Sequence, residues 1–162
     1  MKISQPNLSE TFMREAIRLS LVNMRDQGGG PFGAVIVRAG KIVARGWNQV
    51  TGTNDPTAHA EVVAIRKACK KLKTFKLEGC ELYTSCEPCP MCLAAIYWAH
   101  LDRVYYANTQ TDAARIDFND QFIYREFARP IARRKLPMAP LLRSEALKVF
   151  AEWKNKADKI KY

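Results

Sequence analysis

Long hydrophobic runs are missing from this chain. The longest apolar stretches, "FGAVIV" and "MCLAAIYWA", fall far short of the ~20 residues that a membrane span needs. The opening "MKISQPNLSETF" has no apolar h-region, so no signal peptide is read and a cytoplasmic protein is expected. No internal repeat or low-complexity segment appears. Acidic residues are in short supply, 16 against 26 Lys and Arg, for a formal net charge of +10. Residues 111–162 carry 12 basic and 7 acidic residues. The first 110 reach the same net +5 over about twice the length. Such a balance suits either a well-solvated surface or an attraction for nucleic acid. Histidine is nearly absent, with only His59 and His100.

The 162 residues, 48% of them hydrophobic, suit a single domain with one sizeable core. Residues 9–26 read as an amphipathic helix with Ser9 as N-cap. Phe12, Ala16 and Leu19 with Met13, Ile17, Leu21 and Met24 give it a broad apolar face. Three glycines at 28–30 and Pro31 end it. "FGAVIVR" and "KIVARGW" flank "AG", a hairpin signal. Residues 48–56 read as loop. A helix follows from about Ala58 to Leu72, then a strand at 80–85. Next come a helix opened by Pro88 and running to about Ala99, and a strand at 103–107. Residues 119–127 read as a short helix, 128–140 as a loop with three prolines, and 144–159 as a C-terminal helix capped by Ser144. This order favours an α/β fold with a mixed sheet covered by helices on both faces.

Five cysteines is an odd number, and three of them lie within seven residues in "TSCEPCPMC". In a cytoplasmic chain that pattern points to metal rather than to a disulfide framework. Cys69 and Cys80 lie apart and read as ordinary buried thiols. Two C-x-x-C pairs overlap, Cys86 with Cys89 and Cys89 with Cys92. Placing Pro88 at the first helical position sets Cys89 and Cys92 three apart on one face of the first turn. There the helix dipole favours thiolates, while Cys86 falls before the helix. Upstream, His59 is followed two residues later by Glu61. Together these residues spell H-x-E … P-C-x-x-C, the signature of zinc nucleobase deaminases. His59, Cys89 and Cys92 would leave one tetrahedral position open, a catalytic rather than a structural arrangement. Residues two apart on a helix diverge by about 200°, so His59 and Glu61 converge only if His59 sits at the very start of its helix. An iron–sulfur reading would need a fourth sulfur from Cys80 or Cys69. His100 reads as structural.

These residues resemble the cytidine-deaminase-like zinc deaminases, and within them the guanine deaminase branch. The likeness runs from about Phe12 to Phe127. It is carried by "GGPFGAVIV", "NDPTAHAEVVAIRKACK", "LYTSCEPCPMCLAAIYWA" and "TDAARIDFNDQFIYREF". It implies a three-layer α/β/α sandwich around a mixed five-stranded sheet, with one domain spanning 1–162. It implies Zn2+ on His59, Cys89 and Cys92, with Glu61 as proton shuttle and Asp120 as a second catalytic acid. Phe32, Asn48, Ala60 and Trp98 would bind the purine. The basic segment 128–162 would cross to a second subunit of a homodimer, where Tyr162 closes the site. The implied reaction is hydrolytic deamination of guanine to xanthine and ammonia. Two features depart from the pattern: the "ARRK" run at 132–135, and Asn119-Asp120 where two adjacent acids are expected. Guanosine deamination and tRNA adenosine deamination are the nearer rivals. A non-catalytic zinc or nucleic-acid-binding module is the rival of another class, and it gives Glu61 no role.

Overall fold

The computed structural model describes residues 7–26 and 28–161, which form two compact units that meet between Asp120 and Gln121. In the first unit, helix α1 spans Leu8–Arg25. Asn7, not Ser9, caps it, accepting from the Ser9 N–H at 3.2 Å. Ser9 instead receives the Tyr83 hydroxyl. The buried stripe of α1 is Phe12, Ala16, Leu19 and Ser20, while Ile17, Leu21 and Met24 stay exposed. The apolar face is thus narrower than the sequence pattern suggests.

Strands β1 (Gly33–Arg38) and β2 (Lys41–Trp47) form the expected hairpin. A four-residue helix, α2 (Val50–Thr53), interrupts the stretch read as loop. Helix α3 spans Ala60–Leu72, β3 spans Cys80–Cys86, α4 spans Pro90–Trp98 and β4 spans Arg103–Asn108. The sheet order is β2-β1-β3-β4, with β3 antiparallel to β1 and parallel to β4. The sheet is therefore mixed, but it has four strands among the described residues rather than five. After β4 the chain enters a capping box at Thr109, and no further strand pairs with the sheet among the described residues. The Thr109 side chain accepts from the Asp112 N–H, and the Asp112 carboxylate accepts from the Thr109 N–H. This reciprocal cap turns the chain directly into helix α5 (Gln110–Ala114) after β4.

Strand alternation builds one core on each face of the sheet. Ala34, Ile36 and Leu82 pack with Ala60, Ala64, Ala68 and Ile96 of α3 and α4. Val35, Val37 and Tyr83 pack with Phe12 and Leu19 of α1. Helices thus cover both faces, as expected for three layers. Gly46 lets α3 lie close on β2: a Cβ there would come within 2.1 Å of the Ala60 carbonyl oxygen.

The second unit holds α6 (Gln121–Ala128), a single 3-10 turn at Ile131–Arg133 and α7 (Arg143–Asn155). Leu142, in the left-handed region at φ 53°, takes the N-cap of α7 instead of Ser144. Glu126 ties the proline-containing segment to α6, pairing with Arg129 at 2.6 Å and accepting from the Lys135 N–H at 2.6 Å. No residue of α7 is buried, and Val149 and Phe150 are among its exposed side chains.

Candidate active site

Two helix N-termini converge beyond the C-terminal ends of the parallel strands β3 and β4. Cys89 is the N-cap of α4, Pro90 follows in its first turn and Cys92 is its third residue. Pro88 therefore does not open the helix; Pro90 does. N-cap and N3 side chains stand together at a helix end, the relation a capping box uses. Cys89 and Cys92 converge for that reason rather than by sharing a helical face. His59 is likewise the N-cap of α3, with extended backbone (φ −69°, ψ 153°). The 200° divergence holds only between helical residues, so it does not separate His59 from Glu61.

His59 Nδ1 lies 3.5 Å from Cys89 Sγ and 3.6 Å from Cys92 Sγ. Among the described residues these three form a group able to hold a metal ion. A tetrahedral zinc bound by nitrogen and sulfur at ordinary lengths sets those atoms ~3.6 Å apart, so the donor set fits zinc. A fourth sulfur is not at hand. Cys80 begins β3, ~20 Å along the strand from Cys86, and Cys69 packs against the α3-side core. Cys86 is buried and directs its thiol at the Thr109 carbonyl, 3.6 Å away. Burial pushes that thiol up to about 11.

The donors share a first ionisation. A hydrogen bond with Cys92, then one with His59, brings the Cys89 thiol down to about 4. Cys92 moves up, because its bond to Cys89 and its burial oppose a second charge. His59 moves up through its bond to Cys89. A dication among the three favours both thiolates and a neutral imidazole.

Glu61 is 6% exposed. The Thr84 hydroxyl donates to its Oε1 at 3.0 Å and the Cys92 thiol to its Oε2 at 3.3 Å. Burial raises its pKa above the usual carboxylate value, the tuning that suits a carboxyl to proton transfer near neutral pH.

Other predicted residues gather at the same end of the sheet. Asn48 is buried, and its N–H donates to the Phe32 carbonyl at 3.0 Å. Its Oδ1 accepts from the N–H groups of Gly30 and Val50 at 3.1 and 3.2 Å. Gly29 permits this, since a Cβ there would stand 2.1 Å from the Asn48 carbonyl oxygen. Phe32 meets the edge of Phe118, with ring centroids 4.9 Å apart. Ala60 is fully buried; as the first residue of α3, it has an N–H without an intrahelical partner. Asp120 accepts from the Gln110 amide at 2.7 Å, and its charge bears on His59 and Cys86. Trp98 is not brought to this cluster. It ends α4 at 65% exposure, ~13 Å along the helix from Cys89. Tyr162 lies outside the described residues. His100 follows α4 in the left-handed region. Sequence reasoning missed Thr84, Phe118 and Gln110. The only signal for Thr84 is a polar pair, Thr84-Ser85, inside a buried strand.

Residues 6–108 match the cytidine and deoxycytidylate deaminase zinc-binding region. The chain belongs to this family. It is 53% identical to the guanine deaminase of Bacillus subtilis (strain 168), over 94% of this chain and 98% of that one. The X-ray structure of guanine deaminase from Bacillus subtilis superposes on it with a TM-score of 0.92, at 53% identity over 94% and 98% of the two chains. It is 42% identical to the tRNA-specific adenosine deaminase of Aquifex aeolicus (strain VF5), over 60% of this chain and 64% of that one. Zinc is thus the metal expected of the family, and its ligand chemistry fits the donor set. No helix of the described residues is long and apolar enough to cross a membrane.

Proposed function

We propose that the chain hydrolyses guanine to xanthine and ammonia. The observation that carries this reading is Glu61, a buried carboxyl in contact with the donor set. A structural metal site needs no such acid, whereas hydrolysis of an amino-purine does. The near full-length likeness to a guanine deaminase favours guanine among the amino-bases.

His59, Cys89 and Cys92 would hold zinc, which supplies a bound water whose pKa falls toward ~7. Glu61 takes a proton and returns it to the ring nitrogen beside the carbon that bears the amino group. That protonation makes the carbon electrophilic. A further proton lets the amine depart as ammonia. Water adds and ammonia leaves, so atoms balance. Proton transfer of this kind contributes ~10²–10⁴-fold. Phe32 offers a ring face to the base. With Asn48 Oδ1 engaged by backbone N–H groups, the Asn48 amide NH2 is what it can donate to a purine acceptor. The Ala60 N–H is a second donor. Asp120 meets the edge that bears the amino group.

The same proposal makes the protein a cytoplasmic homodimer, since thiol ligands persist where the compartment is reducing. Residues 128–162 would pass to a second copy, whose site Tyr162 closes. The exposed apolar side chains of α7 support such an exchange. Charge favours a second reading, an RNA substrate: residues 121–162 carry 11 Lys and Arg against 4 Asp and Glu. Ammonia release from guanine, guanosine, adenine, cytosine and a tRNA anticodon stem-loop, measured in parallel, separates the readings. Guanine is expected to react fastest. Reaction of the RNA alone overturns the proposal.

A further inference from the structure

One face of β3 runs from the core into the site. Cys80 and Leu82 are fully buried in the cluster that α3 and α4 cover. Thr84 is the next residue on that face, and it too is fully buried. A valine would fill that strand position equally well, with no hydroxyl to satisfy. The Thr84 hydroxyl has a specific partner instead, Glu61 Oε1 at 3.0 Å. Backbone pairing on both sides fixes the residue, to Ala34 of β1 and Tyr106 of β4.

Taking the proposed reaction as given, we infer that Thr84 is a positioning residue that reserves Glu61 Oε1 and leaves Oε2 as the oxygen that carries the proton. A hydroxyl can donate to Oε1 both when the carboxyl is charged and when its other oxygen is protonated. Oε1 therefore has a fixed partner in both states. Oε2 lies 3.3 Å from Cys92 Sγ, so holding Oε1 on Thr84 turns Oε2 toward the donor set. Without the Thr84 hydroxyl the carboxyl can rotate, and the proton is delivered from the wrong side for part of the time.

The test uses zinc-loaded full-length protein and guanine. Thr84→Val is expected to lower kcat by at least ~10-fold, a fraction of what general acid–base catalysis supplies, with KM and zinc content unchanged. Thr84→Ser restores the hydroxyl and is expected to stay within about two-fold of the parent. Where the valine variant does not fold, Thr84→Ala is expected to show the same split. An unchanged kcat without the hydroxyl overturns the inference. So does a serine variant as slow as valine, because the lost methyl and not the hydroxyl then matters. Glu61→Gln is assayed beside them. If it is inactive while Thr84→Val is fully active, only the role of Thr84 falls. If Glu61→Gln is active, the proposed reaction mechanism falls with it.

Discussion

Glu61→Gln keeps the shape of the side chain and removes its proton chemistry. The expected outcome is a loss of at least ~10²-fold in ammonia release, with about one zinc per chain retained by metal analysis. His59→Ala is expected to lose both metal and activity, because two sulfurs alone leave the tetrahedral set incomplete. These residues were legible in the sequence because ligand spacing is local: His59 and Glu61 are two apart, and Cys89 and Cys92 three. Thr84 and Gln110 were not. A buried threonine in a strand reads as β-branched filling, and its partner Glu61 lies 23 residues away. Trp98 shows the limit of reading placement from sequence alone. The helix carrying Cys89 ends at Trp98, so closeness in sequence became distance along an axis.

At the scale of elements, packing decides how accurately the two N-termini meet. Gly46→Ala would press a methyl group against the Ala60 carbonyl. Overpacking of this kind costs ~1–3 kcal/mol, and a lowered Tm of the zinc-loaded protein is the expected readout. Glu15 pairs with Arg18 within α1 and joins α1 to Arg45 of β2, each at 2.7 Å. The Arg18 hydrogen bond, with help from Arg45, holds its carboxyl at about 2 against an ordinary 4.5. A depressed folded-state pKa gives stability that is present above the unfolded value and lost as pH falls through the folded one. Glu15→Gln should therefore cost stability at pH 7. The gap between variant and parent should close as pH falls from about 4.5 toward 2, followed by urea unfolding at each pH. Helix and strand order was readable from periodicity, but the caps were not. Asn7 and Leu142 replaced Ser9 and Ser144, and Pro90 replaced Pro88. A cap is chosen by where the chain enters the fold, and several neighbouring residues could have served.

Across the whole molecule, the mixed sheet between helical layers could be read from the element order, but the number of strands could not. After β4 the chain passes through a capping box, the four-residue pattern Thr109 to Asp112, into α5, and no fifth strand joins the sheet among the described residues. Charge gives a further test. Guanine is nearly uncharged, so its kcat/KM should change little between 50 and 200 mM salt, whereas an RNA substrate bound through several phosphates should weaken by ~10³-fold or more. Activity that collapses over that range would favour the RNA reading. The two N-cap residues of the candidate metal group, His59 and Cys89, also bear on how the protein would come to hold its ion. Cys89 and Cys92 are close in the chain and can capture an ion before the fold is complete. His59 lies thirty residues earlier and arrives only when α3 has settled on the hairpin. Zinc held by all three would be a cross-link closing a loop through α3 and β3, and each tenfold in its affinity would correspond to about 1.4 kcal/mol of fold stability. The rate of metal exchange would then report how often α3 lifts from the hairpin.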